Sequence, residues 1–204
     1  MKCKLIIICG IVVGLTLNVQ GQVIRGTGIK VGVISATQIW NNPDINSQID
    51  PRWGFDAGCF LDGPHYGYIS VMTEMHYSQK GYSVTQTETL GKTSTFKPRI
   101  DYLSVPVFIK IRGPGGIISP YIFGGPRFDF QLSHKPNGAQ TKYDNMKNTD
   151  IGSSVGFGFE IETSFHFNYL AEFRYCPSFT NIYENESVSV KNRSLEFFLG
   201  ILWK

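Results

Sequence analysis

Hydrophobic and polar side chains alternate along most of this chain, in eight separate runs. A period of two is the signature of a strand, whose successive side chains point to opposite faces. In TGIKVGVISA the apolar set is Ile29, Val31 and Val33, with Lys30 on the other face. RWGFDAGCFLD sets Trp53, Phe55, Ala57, Cys59 and Leu61 against Gly54, Asp56, Gly58 and Asp62. YISVMTEMHYSQ sets Ile69, Val71, Met75 and Tyr77 against Glu74, His76 and Ser78, and YLSVPVFIKIR sets Leu103 to Ile111 against Ser104, Phe108 and Lys110. SPYIFGGPRFDFQL sets Ile122, Phe128, Phe130 and Leu132 against Arg127, Asp129 and Gln131. DIGSSVGFGFEIE separates Ile151, Val155, Phe157, Phe159 and Ile161 from Asp150, Gly152, Ser154, Gly156, Gly158 and Glu160. LAEFRYCP sets Ala171, Phe173 and Tyr175 against Glu172 and Arg174, and SLEFFLGILW sets Leu195 to Trp203 against Ser194, Glu196 and Gly200. Pro106 and Pro126 interrupt two of the runs, and each removes a ladder hydrogen bond.

The connections decide which face meets water. They measure roughly 15, 6, 18, 5, 17, 6 and 15 residues, so long and short alternate throughout. An even number of antiparallel strands with long loops at one end and tight turns at the other predicts an eight-stranded transmembrane β-barrel of meander topology. Each run is near the ~9–11 residues that cross a bilayer at a tilt. In such a barrel Phe173 and Tyr175 face lipid while Glu172 and Arg174 face inward. Closure satisfies every backbone group and leaves no open edge in hydrocarbon.

The inward face then carries Asp56, Glu74, Lys110, Arg127, Asp129, Glu160, Glu172, Arg174 and Glu196, together with Lys30, and can neutralise itself in pairs. Counting back from the last long loop sets Arg174 opposite Glu196 and predicts an ion pair there. Gly156 and Gly158 on the neighbouring strand leave room for the longer side chains. Eight strands enclose only enough space for side chains, so Phe108, Phe123 and Phe198 occlude the lumen. Trp53, Tyr77, Phe130, Tyr169 and Trp203 lie near strand ends and form the expected interfacial aromatics.

Composition adds an export route. Lys2 and Lys4 precede LIIICGIVVGL, and Val19 and Gly21 suit the −3 and −1 positions of a cleavage site. Residues 1–21 therefore read as a signal peptide and 22–204 as one barrel domain. The apolar run is shorter than the ~20 residues of a spanning helix, and Ile8 is too bulky to make Cys9 a lipoprotein site. The 19 basic residues fall to 17 without Lys2 and Lys4, against 16 acidic ones, a balance of +1 that implies no nucleic-acid partner. Cys59 and Cys176 remain, on opposite faces, so no disulfide is expected between them.

One constellation invites a catalytic reading. Glu74, His76 and Ser78 share a strand face, as a nucleophile, its base and an orienting acid would. Met75 and Tyr77 hold the lipid face, however, so the trio points away from any lipid substrate and reads as interior structure. His65, His134 and His166 have no partner at ligand spacing, and no metal or cofactor is expected. RGPGG lacks the Lys-Ser/Thr and following helix of a phosphate loop. The acceptor patterns NES and NRS matter only in a eukaryotic secretory route. A secreted lipocalin-like barrel holding an apolar ligand is the rival fold, with the oily set turned inside.

Six stretches in order, YSQKGY, YLSVPVFIK, PYIFGGPRFDF, DIGSSVGFGFEI, LAEFRYCPSFTNI and KNRSLEFFLGILW, resemble the PorT-like outer membrane β-barrel family of Bacteroidetes-type bacteria. The resemblance implies a small outer-membrane barrel of a family most of whose members have no assigned activity, with a structural or loop-mediated binding role and a partner outside the cell or in a secretion system; with the Glu74–His76–Ser78 geometry above, no enzyme is expected. It also implies assembly by the barrel-assembly machinery, whose signal Trp203 matches in part, since Lys204 follows it. Ser104 stands where the family pattern carries an acid.

Overall fold

The computed structural model describes residues 24–40, 48–87, 93–135, 147–182 and 189–204. Residues 1–21, read as the export signal, lie outside them, as do most of the polar stretches NNPDINSQID and KPNGAQTKYDNMKN. Among the described residues are eight long strands and one short one, and no helix. They are β1 (Gly26–Trp40), β2 (Gln48–Tyr66), β3 (Ile69–Thr87), β4 (Thr93–Phe96), β5 (Arg99–Arg112), β6 (Ile118–Lys135), β7 (Thr149–Ile161), β8 (Phe167–Pro177) and β9 (Val190–Trp203).

Every pairing is antiparallel. The order β2-β1-β9-β8-β7-β6-β5-β3-β4, with β2 also paired to β3, closes the sheet into a barrel. The seam between β1 and β9 runs from Thr27 opposite Trp203 to Trp40 opposite Val190. Closure leaves the long strands no free edge, which is what permits strands in hydrocarbon.

The oily set is outside. Ile29, Val31, Phe55, Ile109, Phe157, Phe173, Phe197 and Leu199 are all exposed, while Lys30, Glu74, Lys110, Glu172 and Arg174 are buried. The lipocalin-like alternative fails on this observation, since it required the reverse. One lipid-facing row crosses five strands through register partners: Phe157, Phe173, Phe197, Val33 and Phe55.

Three expectations about boundaries are corrected. The six-residue turn DGPHYG is a two-residue turn at Gly67 and Tyr68, because β2 continues to Tyr66 past a register shift after Asp62. Gly67 takes φ 59°, the left-handed conformation that suits glycine there. The long connection after the third run is largely strand, since β3 continues to Thr87 and pairs with β4. The eight long strands span 11 to 19 residues, from just enough to cross a bilayer in β8 to well beyond that in β2, β3 and β6. Pro106 and Pro126 lie inside β5 and β6 without ending them; Pro106 is opposite Arg127 and Pro126 opposite Ser153.

Candidate functional site

Among the described residues, the charged side chains of the barrel interior fall into three levels. Lys30 on β1, Glu74 and His76 on β3, and Glu172 and Arg174 on β8 meet at mid-height. Lys30 Nζ donates to Glu74 Oε1 at 2.6 Å and to Glu172 Oε1 at 2.7 Å. Arg174 grips Glu74 with both terminal nitrogens, at 2.6 and 2.9 Å, and also bonds Glu172. Such two-pronged guanidinium–carboxylate pairs are the stronger kind of ion pair. The Tyr121 hydroxyl donates to Glu172 at 2.7 Å. Three phenyl rings pack around the Arg174 guanidinium, with centroids 4.5 Å (Phe198), 5.1 Å (Phe123) and 5.2 Å (Phe108) away. This arrangement adds cation–π attraction to the ion pairs.

His76 is wedged between two carboxylates, Nδ1 2.8 Å from Asp56 and Nε2 2.8 Å from Glu74. Carboxylates only accept, so both ring nitrogens must donate, which makes the ring an imidazolium. Lys30, His76 and Arg174 then balance Asp56, Glu74 and Glu172 charge for charge. The Ser78 hydroxyl donates to Asp56, not to His76.

Toward the short turns, Lys110 Nζ reaches Asp62 at 2.9 Å, and Arg25 bonds both Asp62 (2.7 Å) and Glu160. Asn168 donates to Glu160 at 2.6 Å. Beyond this level an open cavity of about 360 Å³ at the inner mouth is lined by Arg25, Ser70, Arg112 and Glu162 among others. Toward the long connections, Lys80 bonds Asp129, Arg127 Nε lies 3.0 Å from Asp129, and Ser194 donates to Glu196 at 2.9 Å. Asn192 and Ser178 donate to Asp150 at 2.9 and 2.8 Å. The gap left beside Asp56, His76, Arg127, Arg174 and Glu196 measures about 10 Å³, the space of a single water.

An apolar cluster of Phe60, Met72, Phe108, Tyr121, Phe123, Leu170 and Leu202 fills what the charges leave. Two sequence expectations are corrected here. Arg174 and Glu196 are register partners, but Arg174 turns away from Glu196, whose cationic neighbour is Arg127 Nη1 at 3.9 Å. The space over Gly156 and Gly158 is taken by rings and not by long charged chains. A Cβ at Gly156 would come 2.7 Å from Phe123 Cζ, and one at Gly158 2.6 Å from Tyr121 Cζ.

All nine interior residues expected from the sequence lie buried inside the barrel. Lys80 joins them; it continues the even-numbered face of Glu74, His76 and Ser78 beyond the point where the apolar alternation stops. Of the aromatics, Trp53 and Phe130 are exposed near the end that carries the long connections, Tyr169 and Trp203 near the other, and Tyr77 is half-buried, its hydroxyl shared by Gln79 and Arg99. No disulfide joins Cys59 and Cys176; Cys176 is buried and accompanied by Ser154. Among the described residues, no group of three or more His, Cys, Asp and Glu side chains is placed to hold a metal ion.

A closed barrel with an oily exterior, a paired charged interior and uneven connections defines a small outer-membrane barrel protein. The chain belongs to the outer membrane protein beta-barrel domain family, whose profile matches residues 20–184. Its fold is similar to that of Neisserial surface protein A (NspA), with TM-score 0.56 and 15% identity over 91% of this chain and 99% of that one. It is also similar to the outer membrane protein OprG from Pseudomonas aeruginosa, with TM-score 0.52 and 12% identity over 87% and 95% of the two chains. Identities this low speak for the fold alone. No curated protein matches the sequence. The protein resides in the outer membrane, with lipid against its exterior.

Proposed function

We propose that this protein is a non-conducting, non-enzymatic barrel of PorT-like type whose role is structural or is carried by its long connections. The observation that carries the reading is the mid-height plug of Lys30, Glu74, Glu172 and Arg174, buried and mutually bonded across the lumen. An eight-stranded barrel has room only for side chains, and here they are in place. The enzyme alternative lacks support, because both nitrogens of His76 are engaged by carboxylates and Ser78 faces the lumen. Connections at a barrel rim are where binding residues commonly reside. The resemblance of the six strand segments to PorT-like barrels gives that binding role a specific form, an accessory contact in protein secretion.

Purified protein in planar bilayers tests the plug. The expected result is an absence of unitary conductance, and steady ion channels in the wild type would end the proposal. Photo-crosslinking in whole cells tests the binding role, with probes placed in 41–47 and 136–146 and, as controls, at Gly67 and Gly116 in the short turns. A discrete adduct confined to the long connections is expected. Phospholipid hydrolysis that disappears in Ser78→Ala would instead establish the enzyme.

A further inference from the structure

Not every charge of the barrel points inward. On the lipid-facing wall of β3, β5 and β6, near the end with long connections, Tyr77, Gln79, Arg99, Asp101 and Ser133 form a polar web. Arg99 donates to Asp101 through Nε at 2.7 Å and Nη2 at 2.9 Å, and Nη2 also lies 3.4 Å from the Tyr77 hydroxyl. Ser133 donates to Asp101 at 3.0 Å, and Gln79 to Tyr77 at 3.3 Å. Tyr77 is the outward residue between inward His76 and Ser78, so this web lies on the outside of the sheet.

Arg52 joins it from β2. Gly81 is the backbone partner of Arg99, and a Cβ at Gly81 would stand 3.2 Å from Arg52 Cδ and collide with the carbonyl of Pro98. Arg52, Arg99 and the Lys97–Pro98 segment therefore meet around one glycine. Gly81 adopts φ 149°, a backbone conformation that side chains rarely adopt, and its lack of a Cβ lets Arg52 and the Pro98 carbonyl close in on it. Arg52 Nη1 is buried and has no hydrogen-bond partner among the described residues. Lys97 is exposed. Asp101 is committed to Arg99 and Ser133.

An arginine nitrogen buried without an acceptor is costly, and a charged oxygen is its strongest remedy. The patch sits where outward aromatics give way to rim residues, the level at which lipid headgroups lie. Long basic side chains reach that level by lying along the apolar wall. We propose that Arg52, Lys97 and Arg99 bind a phosphate group carried by the headgroup of an outer-leaflet lipid. Arg99, locked by Asp101, sets the wall of the site, while the unpartnered Nη1 of Arg52 and the exposed Lys97 supply the contacts to the phosphate. This site is independent of what the long connections bind, so failure of the crosslinking above leaves it standing.

Native mass spectrometry of the full chain in micelles tests it. The probes are lipid A bearing its phosphates, the same lipid after enzymatic dephosphorylation, and inorganic phosphate as a soluble competitor. The wild type should retain the phosphorylated lipid about tenfold more strongly than the dephosphorylated one, the worth of one charge-assisted contact. Arg52→Gln combined with Lys97→Gln should bring the two lipids within about twofold of each other, while Arg52→Lys alone keeps most of the preference. Heat-modifiable gel migration confirms that each variant is folded. Equal retention of both lipids by the wild type, or an undiminished preference in the double variant, would overturn the site. Displacement of the lipid by millimolar inorganic phosphate would overturn its assignment to lipid and give it to a soluble anion.

Discussion

Arg174 and Glu196 face each other across β8 and β9, yet the guanidinium of Arg174 is bonded to Glu74, one hundred residues earlier on β3. Backbone register and side-chain pairing are separate facts in a narrow barrel, where a long side chain reaches the far wall as easily as its neighbour. Glu74→Gln should therefore destabilise the protein by about 3–5 kcal/mol, the cost of stranding a buried cation. Glu196→Gln, which disturbs the Ser194 hydrogen bond and a 3.9 Å approach, should cost about 1 kcal/mol. Urea titration of protein folded into lipid vesicles measures both. Equal costs would mean that Arg174 is held by its register partner after all.

Gly158→Ala should destabilise by about 1–3 kcal/mol, as overpacking does. The added methyl would lie 2.6 Å from Tyr121 Cζ, and that ring is pinned by its bond to Glu172 and by Lys110 Nζ, 4.2 Å from its centroid. Gly116→Ala has open space on every side and should fall within about 0.5 kcal/mol of wild type. The same titration distinguishes them.

An outward charge should be judged by depth. Phe197 lies at the middle of β9 and is 45% exposed, so Phe197→Arg should cost about 2–4 kcal/mol. Trp203 has nearly the same exposure, 43%, but ends the strand, and Trp203→Arg should cost about 0–1 kcal/mol. Similar costs for the two would place the bilayer elsewhere on the barrel.

Gly67→Val puts a branched side chain at φ 59° in the tight turn between β2 and β3. About 1–2 kcal/mol of stability should be lost, without change in the lipid-facing labelling pattern. A larger loss, with mislabelled strands, would show that this turn sets the register of the pair.

The alternation that made the barrel legible is enforced by hydrocarbon, and it stops where hydrocarbon stops. Inside the bilayer Phe173 and Tyr175 had to differ from Glu172 and Arg174, so face and fold were readable. Past Gln79, β3 runs on as KGYSVTQT beyond the hydrocarbon, and its continuation to Thr87 left no period to read. Lys80 was missed for that reason. The partner of Arg174 was unreadable for another: it depends on closure, strand tilt and side-chain length together. The outward cluster at Arg99 was masked by the rule itself, since an odd-numbered position in that strand is expected to be oily.

The plug also bears on how this molecule comes into being. Lys30 belongs to the first strand, Glu74 to the third, and Glu172 and Arg174 to the eighth. No single hairpin contains the full set, although Arg174 and Glu172 share β8 and His76 joins Asp56 and Glu74 within the β2–β3 pair. The bond from Lys30 to Glu172 joins β1 to β8 across the seam strand β9. The inside of the molecule is thus a product of the whole chain, finished only where its first and last strands are side by side.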